Sequence, residues 1–437
     1  MPEVQIILHS YYLKNNMSNL RENELQLLII ACFIFLFGIS IVQLQNLNNL
    51  KLFILVEELG FIIACFIIQK LLRVYFPNSD PFLFPSVITL ISIGLTMIYR
   101  LKPLLFQQQL KWIFIGLFIF SISAFIFRKI HLIFHYKYII GLIGIGLLLL
   151  SILLGTDING SRSWIIMGPI RFQPSEFAKI FIIIFLATYL IENKVVLGLK
   201  NNKFGPIVLP SFRFIAPFIT IWSLAMLMFL LQKDLGSALL FFGIAILMTY
   251  MANNNLSYIF IAGSFFVIGS TLSYFLFDHV KVRVNIWNNP WADPNGQAYQ
   301  IVQSLFAITS GGILGTGITY GHPEFIPEVH TDFIFSAIAE ELGFVGAIFI
   351  ILLYVLIIYR GFKISLMCKN EINALIAAGI SVSIALQIFI IIAGVTKFLP
   401  LTGITLPFLS YGGSSMVSSF IMVGLLFALS EKRNNIA

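Results

Sequence analysis

The chain has 437 residues, of which 59% are hydrophobic and only 11% charged, less than half the roughly 25% charged share of a soluble domain. That composition excludes a soluble globular enzyme and surrounds the chain with membrane lipids. The net charge of +8 comes from Lys and Arg scattered between apolar runs rather than gathered in a stripe, so it reads as membrane topology and not as nucleic-acid binding.

The first segment, Met1 to Leu20, is polar-mixed and lacks the apolar stretch and small-residue site of a cleaved signal peptide. From there, apolar runs near the roughly 20 residues that cross a hydrocarbon core recur along the chain. They predict twelve spans, beginning near residues 24, 51, 80, 110, 138, 174, 211, 234, 257, 332, 373 and 412. The predicted fold is all-α, a polytopic transmembrane helix bundle. With the N-terminus inside, sixteen Lys and Arg fall on the inner side and ten on the outer, which favours cytoplasmic termini at both ends. Two outer segments result, Gly155 to Gln173 and Asp278 to Thr331. The second is longer than an idle connector. Its Trp287, Pro290, Trp291, Pro294, Gly296, Gly311, Gly312, Gly315 and Gly317 suit a stretch folded on the membrane surface. Cys32, Cys65 and Cys368 stand singly in or beside apolar runs, with neither disulfide nor metal spacing.

Charged groups in or at the mouth of a membrane bundle cost about 2.5 to 3.5 kcal/mol each, so each needs a partner or a purpose. Glu57 and Glu58, inside the second span, suit a structural or assembly role. Glu176 and Lys179 fall on one helix face at i, i+3 and can pair, with Arg171 just before them. Asp234 opens a span, where an acid also serves as a cap. Glu324, Glu328, His330 and Asp332 crowd the start of a long apolar helix, more ionisable groups than capping requires. Glu340 and Glu341 lie deeper in that helix and demand partners the sequence does not name. Beyond Lys397, residues 399 to 415 hold two prolines and three glycines where a spanning helix is otherwise due. Such irregular backbone is tolerated only when covered by protein or lining a wet cavity.

Six stretches together resemble the SEDS family of FtsW, RodA and SpoVE: Gly160 to Ile165, Arg171 to Glu176, Gln232 to Gly236, Asn289 to Pro294, Pro327 to Phe335, and Leu406 to Ser415. The resemblance implies a ten-span core over residues 76–437, with residues 1–75 as an added N-terminal helix pair. It implies a peptidoglycan glycosyltransferase of the bacterial plasma membrane, with an extracytoplasmic active site. Its substrate would be lipid II, the undecaprenyl-pyrophosphate-linked disaccharide-pentapeptide, and its partner a class B penicillin-binding protein. Position by position, it makes Asp332 the essential acid, with Arg171, Glu176, Lys179 and Asp234 in the central cavity. Arg162, Trp164, Glu328, His330, Lys397 and Ser410 complete the expected substrate-binding set. Here Ser163 stands directly before the Trp where many members have Arg, and Lys233 stands where many have Pro.

The implied reaction inverts one anomeric centre, so a single base suffices: Asp332 accepts the acceptor hydroxyl proton, and the leaving pyrophosphate needs cations rather than an acid. Arg162, Arg171, Lys179 and Lys397 are the available cations. Glu324, Glu328, His330 and Asp332 are also the residues that would hold a divalent cation such as Mg2+ or Mn2+. Two other readings stay open: a transporter that flips the lipid-linked precursor, and a non-catalytic scaffold for division or elongation.

Overall fold

The computed structural model describes residues 2–45, 52–128, 134–158, 161–168, 170–194, 202–204, 207–209 and 212–431. For residues 2–20, 52–53, 158, 170, 202–204, 207–209 and 212–218 only the backbone is described. Gly160, Lys432 and Arg433 lie outside the described residues.

Among the described residues, twelve long helices form the body: α1 (Pro2–Gln45), α2 (Leu52–Tyr75), α3 (Leu83–Leu101), α4 (Pro103–Ile126), α5 (Lys137–Leu154), α6 (Pro174–Glu192), α7 (Phe212–Gln232), α8 (Leu235–Asn253), α9 (Ser257–Leu276), α12 (Ile334–Met367), α13 (Glu371–Val395) and α14 (Gly413–Ser430). Between α9 and α12 lie two short helices, α10 (Asp278–Asn288) and α11 (Tyr299–Ser310). Among the described residues, ten helices are long and apolar enough to cross a membrane. Small antiparallel ribbons accompany them: β1 (Thr156–Ile158), β2 (Ser161–Met167) and β3 (Ile170–Phe172) make one sheet, β4 (Asn202–Phe204) and β5 (Ile207–Leu209) another.

Local chemistry sets the helix boundaries. Pro103 and Pro174 sit in the first turns of α4 and α6, where a missing N–H costs nothing. The Asn370 side chain accepts from the N–H groups of Ile372 and Asn373 at the start of α13, and Asn254 closes α8 in the left-handed conformation. The bundle wraps around α3, which is buried from Leu83 to Tyr99, whereas α9 has no buried residue. α1 packs on α3, α4 on α14, α5 on α6 and α7, and α12 on α13. Small residues permit the close approaches: a methyl group at Gly116 would collide with Phe420, and one at Gly424 with Ser123.

At one end of the bundle a charged belt ties the N-terminal pair to the rest. Arg21 pairs with Glu24 at 2.6 Å and donates to the carbonyls of Phe76, Pro77 and Ser79. Arg360 pairs with Asp80, and the Asn78 N–H donates to Glu431. The other end holds the residues of chemical interest.

α12 is not a continuous helix. At Gly343 the backbone turns to φ 67° and ψ −168°, and the chain before α12 fills the break. Thr316 and Gly317 donate their N–H groups to the carbonyls of Glu340 and Glu341, while Phe344 and Val345 donate to the carbonyls of Gly312 and Ile313. Unsatisfied backbone groups cost several kcal/mol in hydrocarbon, so the break persists because segment 312–317 supplies the missing partners. A methyl group at Gly315 would lie 2.2 Å from the Glu341 oxygen, and one at Gly343 would lie 2.2 Å from the Gly315 nitrogen. These glycines serve backbone contact, a use that the composition of the surface segment does not announce.

Candidate active site

The segment 399–412, between α13 and α14, is where the separated motifs meet. It has no regular structure from Pro400 to Leu406, and its backbone groups are satisfied from all sides. The Ser410 hydroxyl donates to the Thr331 carbonyl at 2.5 Å and accepts from the Leu406 N–H at 2.9 Å. The Tyr411 N–H donates to the His330 carbonyl at 2.9 Å. Gln109 of α4 reaches in, donating to the Ser410 carbonyl and accepting from the Gly412 N–H. The broken segment is thereby sewn to the approach of α12.

Asp332 stands at that junction. Its backbone N–H donates to the Glu328 carbonyl at 3.3 Å, and its carboxylate faces Gly403, where a methyl group would lie 3.5 Å from Oδ2. The residue is half-buried. Burial first, and the charge of Glu328 second, push its carboxyl up to about 7, against weaker opposition from Thr331 and Arg283. Glu328 is exposed, with φ 56°, and approaches the buried His330 ring at 3.8 Å. Burial pushes the His330 imidazole below its ordinary value, against the opposing charge of Glu328.

Arg283 of α10 is the residue the sequence did not single out. Its guanidinium donates to the carbonyls of Leu401 and Thr402 at 3.3 and 3.2 Å, and both Asp234 and Asp332 lie within its electrostatic reach. Asp234 is buried and caps α8, accepting from the N–H and hydroxyl of Ser237 at 3.0 and 2.8 Å; burial raises its carboxyl above the usual range. No local pattern marks Arg283, because its contacts are 118 and 119 residues away.

Glu176 and Lys179 meet at 3.0 Å, both buried. Ser418 donates to Glu176 at 2.7 Å, and Lys179 donates to Gln387, which in turn donates to the Thr405 carbonyl. This network braces the back of the 399–412 segment, and the Lys179 ammonium is spent within it. Arg171 is exposed, its carbonyl accepting from Ser414. Lys397 is half-buried at φ 61° and enters no ion pair among the described residues. Arg162 is exposed on β2, 3.4 Å from Asp157. Trp164 is half-buried on the same strand, opposite Thr156.

The expected cation-holding residues do not assemble one donor set. Glu324 turns to Arg100 at 3.2 Å and to His322 at 3.3 Å, and no group of three or more His, Cys, Asp or Glu suited to a metal occurs among the described residues.

A multi-pass membrane bundle with acids and cations gathered at one end, around an interrupted helix, defines the class. The chain belongs to the cell cycle protein family of FtsW, RodA and SpoVE, whose profile matches residues 81–435. It is 34% identical over 424 residues to the peptidoglycan glycosyltransferase RodA of Mycobacterium bovis, covering 94% of this chain and 90% of that one. It is 38% identical over 276 residues to the stage V sporulation protein E of Bacillus subtilis, covering 62% of this chain and 72% of that one. Among solved structures, a chain from work on coordination of polymerization and crosslinking by a peptidoglycan synthase complex matches with a TM-score of 0.65 at 26% identity, over 82% of this chain and 99% of that one. The Thermus thermophilus rod shape determining protein RodA shares the fold, with a TM-score of 0.57 at 24% identity, over 82% and 98%.

Proposed function

We propose that the chain is a peptidoglycan glycosyltransferase that polymerises lipid II at the outer face of the plasma membrane, with Asp332 as general base. Its mycobacterial relatives bear the name of that activity. The acceptor sugar's hydroxyl oxygen attacks the donor's anomeric carbon, the bond from that carbon to the pyrophosphate breaks, and Asp332 takes the hydroxyl proton. The pyrophosphate leaves with the electron pair as a stable anion and requires no acid. One inversion of configuration results.

The observation that carries this reading is the setting of Asp332. A half-buried carboxyl raised to about 7 is poised to accept a proton near neutral pH. Arg283, within electrostatic reach of Asp332, offers a guanidinium for the departing negative charge, and an Arg fork suits phosphate oxygens. Arg171 and Lys397 are the further cations on this rim. Lys179, neutralised by Glu176, shapes the segment instead of meeting substrate. A polyprenyl tail stays in lipid while its head group reacts, which suits a site at the end of a membrane bundle. A class B penicillin-binding protein is the proposed partner, supplying crosslinking.

The test is polymerisation of purified lipid II by the full chain with and without that partner. Asp332→Asn is expected to fold and to lose on the order of 10²-fold or more of the rate. Polymerisation at the unsubstituted rate would remove Asp332 from the chemistry. If the unsubstituted protein moves lipid II between leaflets and never polymerises it, the transporter reading replaces this one; if neither occurs, the scaffold reading does.

A further inference from the structure

We infer that Arg100, at the end of α3, is a positioning residue for Asp332, acting through the loop that precedes α12. The inference rests on the proposed polymerase reading. Glu341 has no exposed side-chain surface, and Arg100 Nε donates to it at 2.9 Å. A buried carboxylate in a membrane bundle needs such a counter-charge. The same guanidinium also reaches outward, Nη2 donating to the Gly321 carbonyl at 2.8 Å and to Glu324 at 3.2 Å. The Glu324 contact is exposed and weak; the carbonyl contact fixes backbone.

From the opposite side, Glu340 accepts from the His322 N–H at 2.8 Å. Residues 321 and 322 are thus held between α3 and α12. A stiff path leads from there to Asp332. Pro323–Phe325 forms a tight turn, Ile326, Val329 and Phe333 are buried apolar anchors, and the N–H groups of Thr331 and Asp332 both close on Glu328. The N-terminal pair backs this arrangement: the Thr319 hydroxyl donates to Gln45 at the end of α1, and Gly38 of α1 packs against Thr96 of α3.

The geometry separates two duties of one side chain. Neutralising Glu341 needs only a positive charge, whereas reaching Gly321 at the same time needs the planar fork. Arg100→Lys keeps the first and loses the second, so it is expected to fold. In lipid II polymerisation by the full chain with its transpeptidase partner, Arg100→Lys should lower kcat about tenfold and leave KM within about twofold, since small misplacements of a reacting group are costly. The loosened loop should admit water to Asp332 and move the pH midpoint of kcat downward, a shift that mere loss of folded protein does not produce. Arg100→Gln with Glu341→Gln removes the buried charges together and should reproduce the kcat loss in a folded protein. Unsubstituted kcat and pH midpoint in folded Arg100→Lys would overturn the inference. A control chain that fails to polymerise would instead overturn the polymerase reading.

Discussion

As the proposed general base, Asp332 should set the pH response. Its carboxyl is raised from the ordinary carboxylate range to about 7, burial being the first cause. A base works only when deprotonated, so kcat should climb about tenfold per pH unit below about 7 and level off above it. Measuring polymerisation rates from about pH 5.5 to 8.5 checks this, and a rate already flat across pH 5.5 to 7 would mean that a different group or step is being read. The neighbourhood of Asp332 was legible in the sequence because several ionisable residues crowd one helix start, which capping alone does not explain; the choice of Asp332 within that cluster came from the family resemblance. Arg283 and Arg100 were not legible as site residues. Each acts on chain more than 100 residues away, and an isolated Arg near a span end looks like any topology signal. The sequence did pose the question that Arg100 answers, since Glu340 and Glu341 inside an apolar helix call for partners.

At the level of elements, the interrupted helices carry the argument. The break in residues 399–412 was readable from its prolines and glycines, because they remove donors and release backbone within an apolar run. The break in α12 was not, since Gly343 is a single glycine in a long apolar stretch and its cause lies in segment 312–317, which precedes the helix. Gly343 and Gly315 both have φ above 60° and touch each other's backbone. Gly343→Ala or Gly315→Ala should therefore cost on the order of 2 kcal/mol or more through strain and overlap, seen as a lower thermal unfolding midpoint in detergent. Gly263→Ala on α9, where a methyl group meets nothing within 4 Å, is the control and should change stability by no more than about 1 kcal/mol. Equal behaviour of the joint substitutions and the Gly263→Ala control would mean that the α12 joint is not a close backbone contact.

For the whole molecule, the class followed from hydropathy, because bilayer thickness fixes helix length; of the twelve predicted spans, ten among the described residues are long and apolar enough to cross, the second helix with its Glu57, Glu58, Lys70 and Arg73 not being one of them. The small β ribbons did not follow, as strands of three to seven residues leave little periodic signal. The N-terminal pair lies before the family profile, which starts at residue 81, yet the mycobacterial relatives align over 94% of the chain. Its ties to Ser79 at one end and Thr319 at the other make it part of the bundle rather than an appendage. Orientation rests on charge alone, sixteen Lys and Arg against ten. It has a direct consequence for the site, because Asp332, Arg283 and the loop through Asn295 belong to one end of the bundle. Asn295 is exposed between α10 and α11. A cysteine there, in a chain whose Cys32, Cys65 and Cys368 are replaced by Ala, should react with an impermeant thiol reagent on intact cells stripped of their wall. Labelling only after lysis would put the site end in the cytoplasm and overturn the proposed outer-face site.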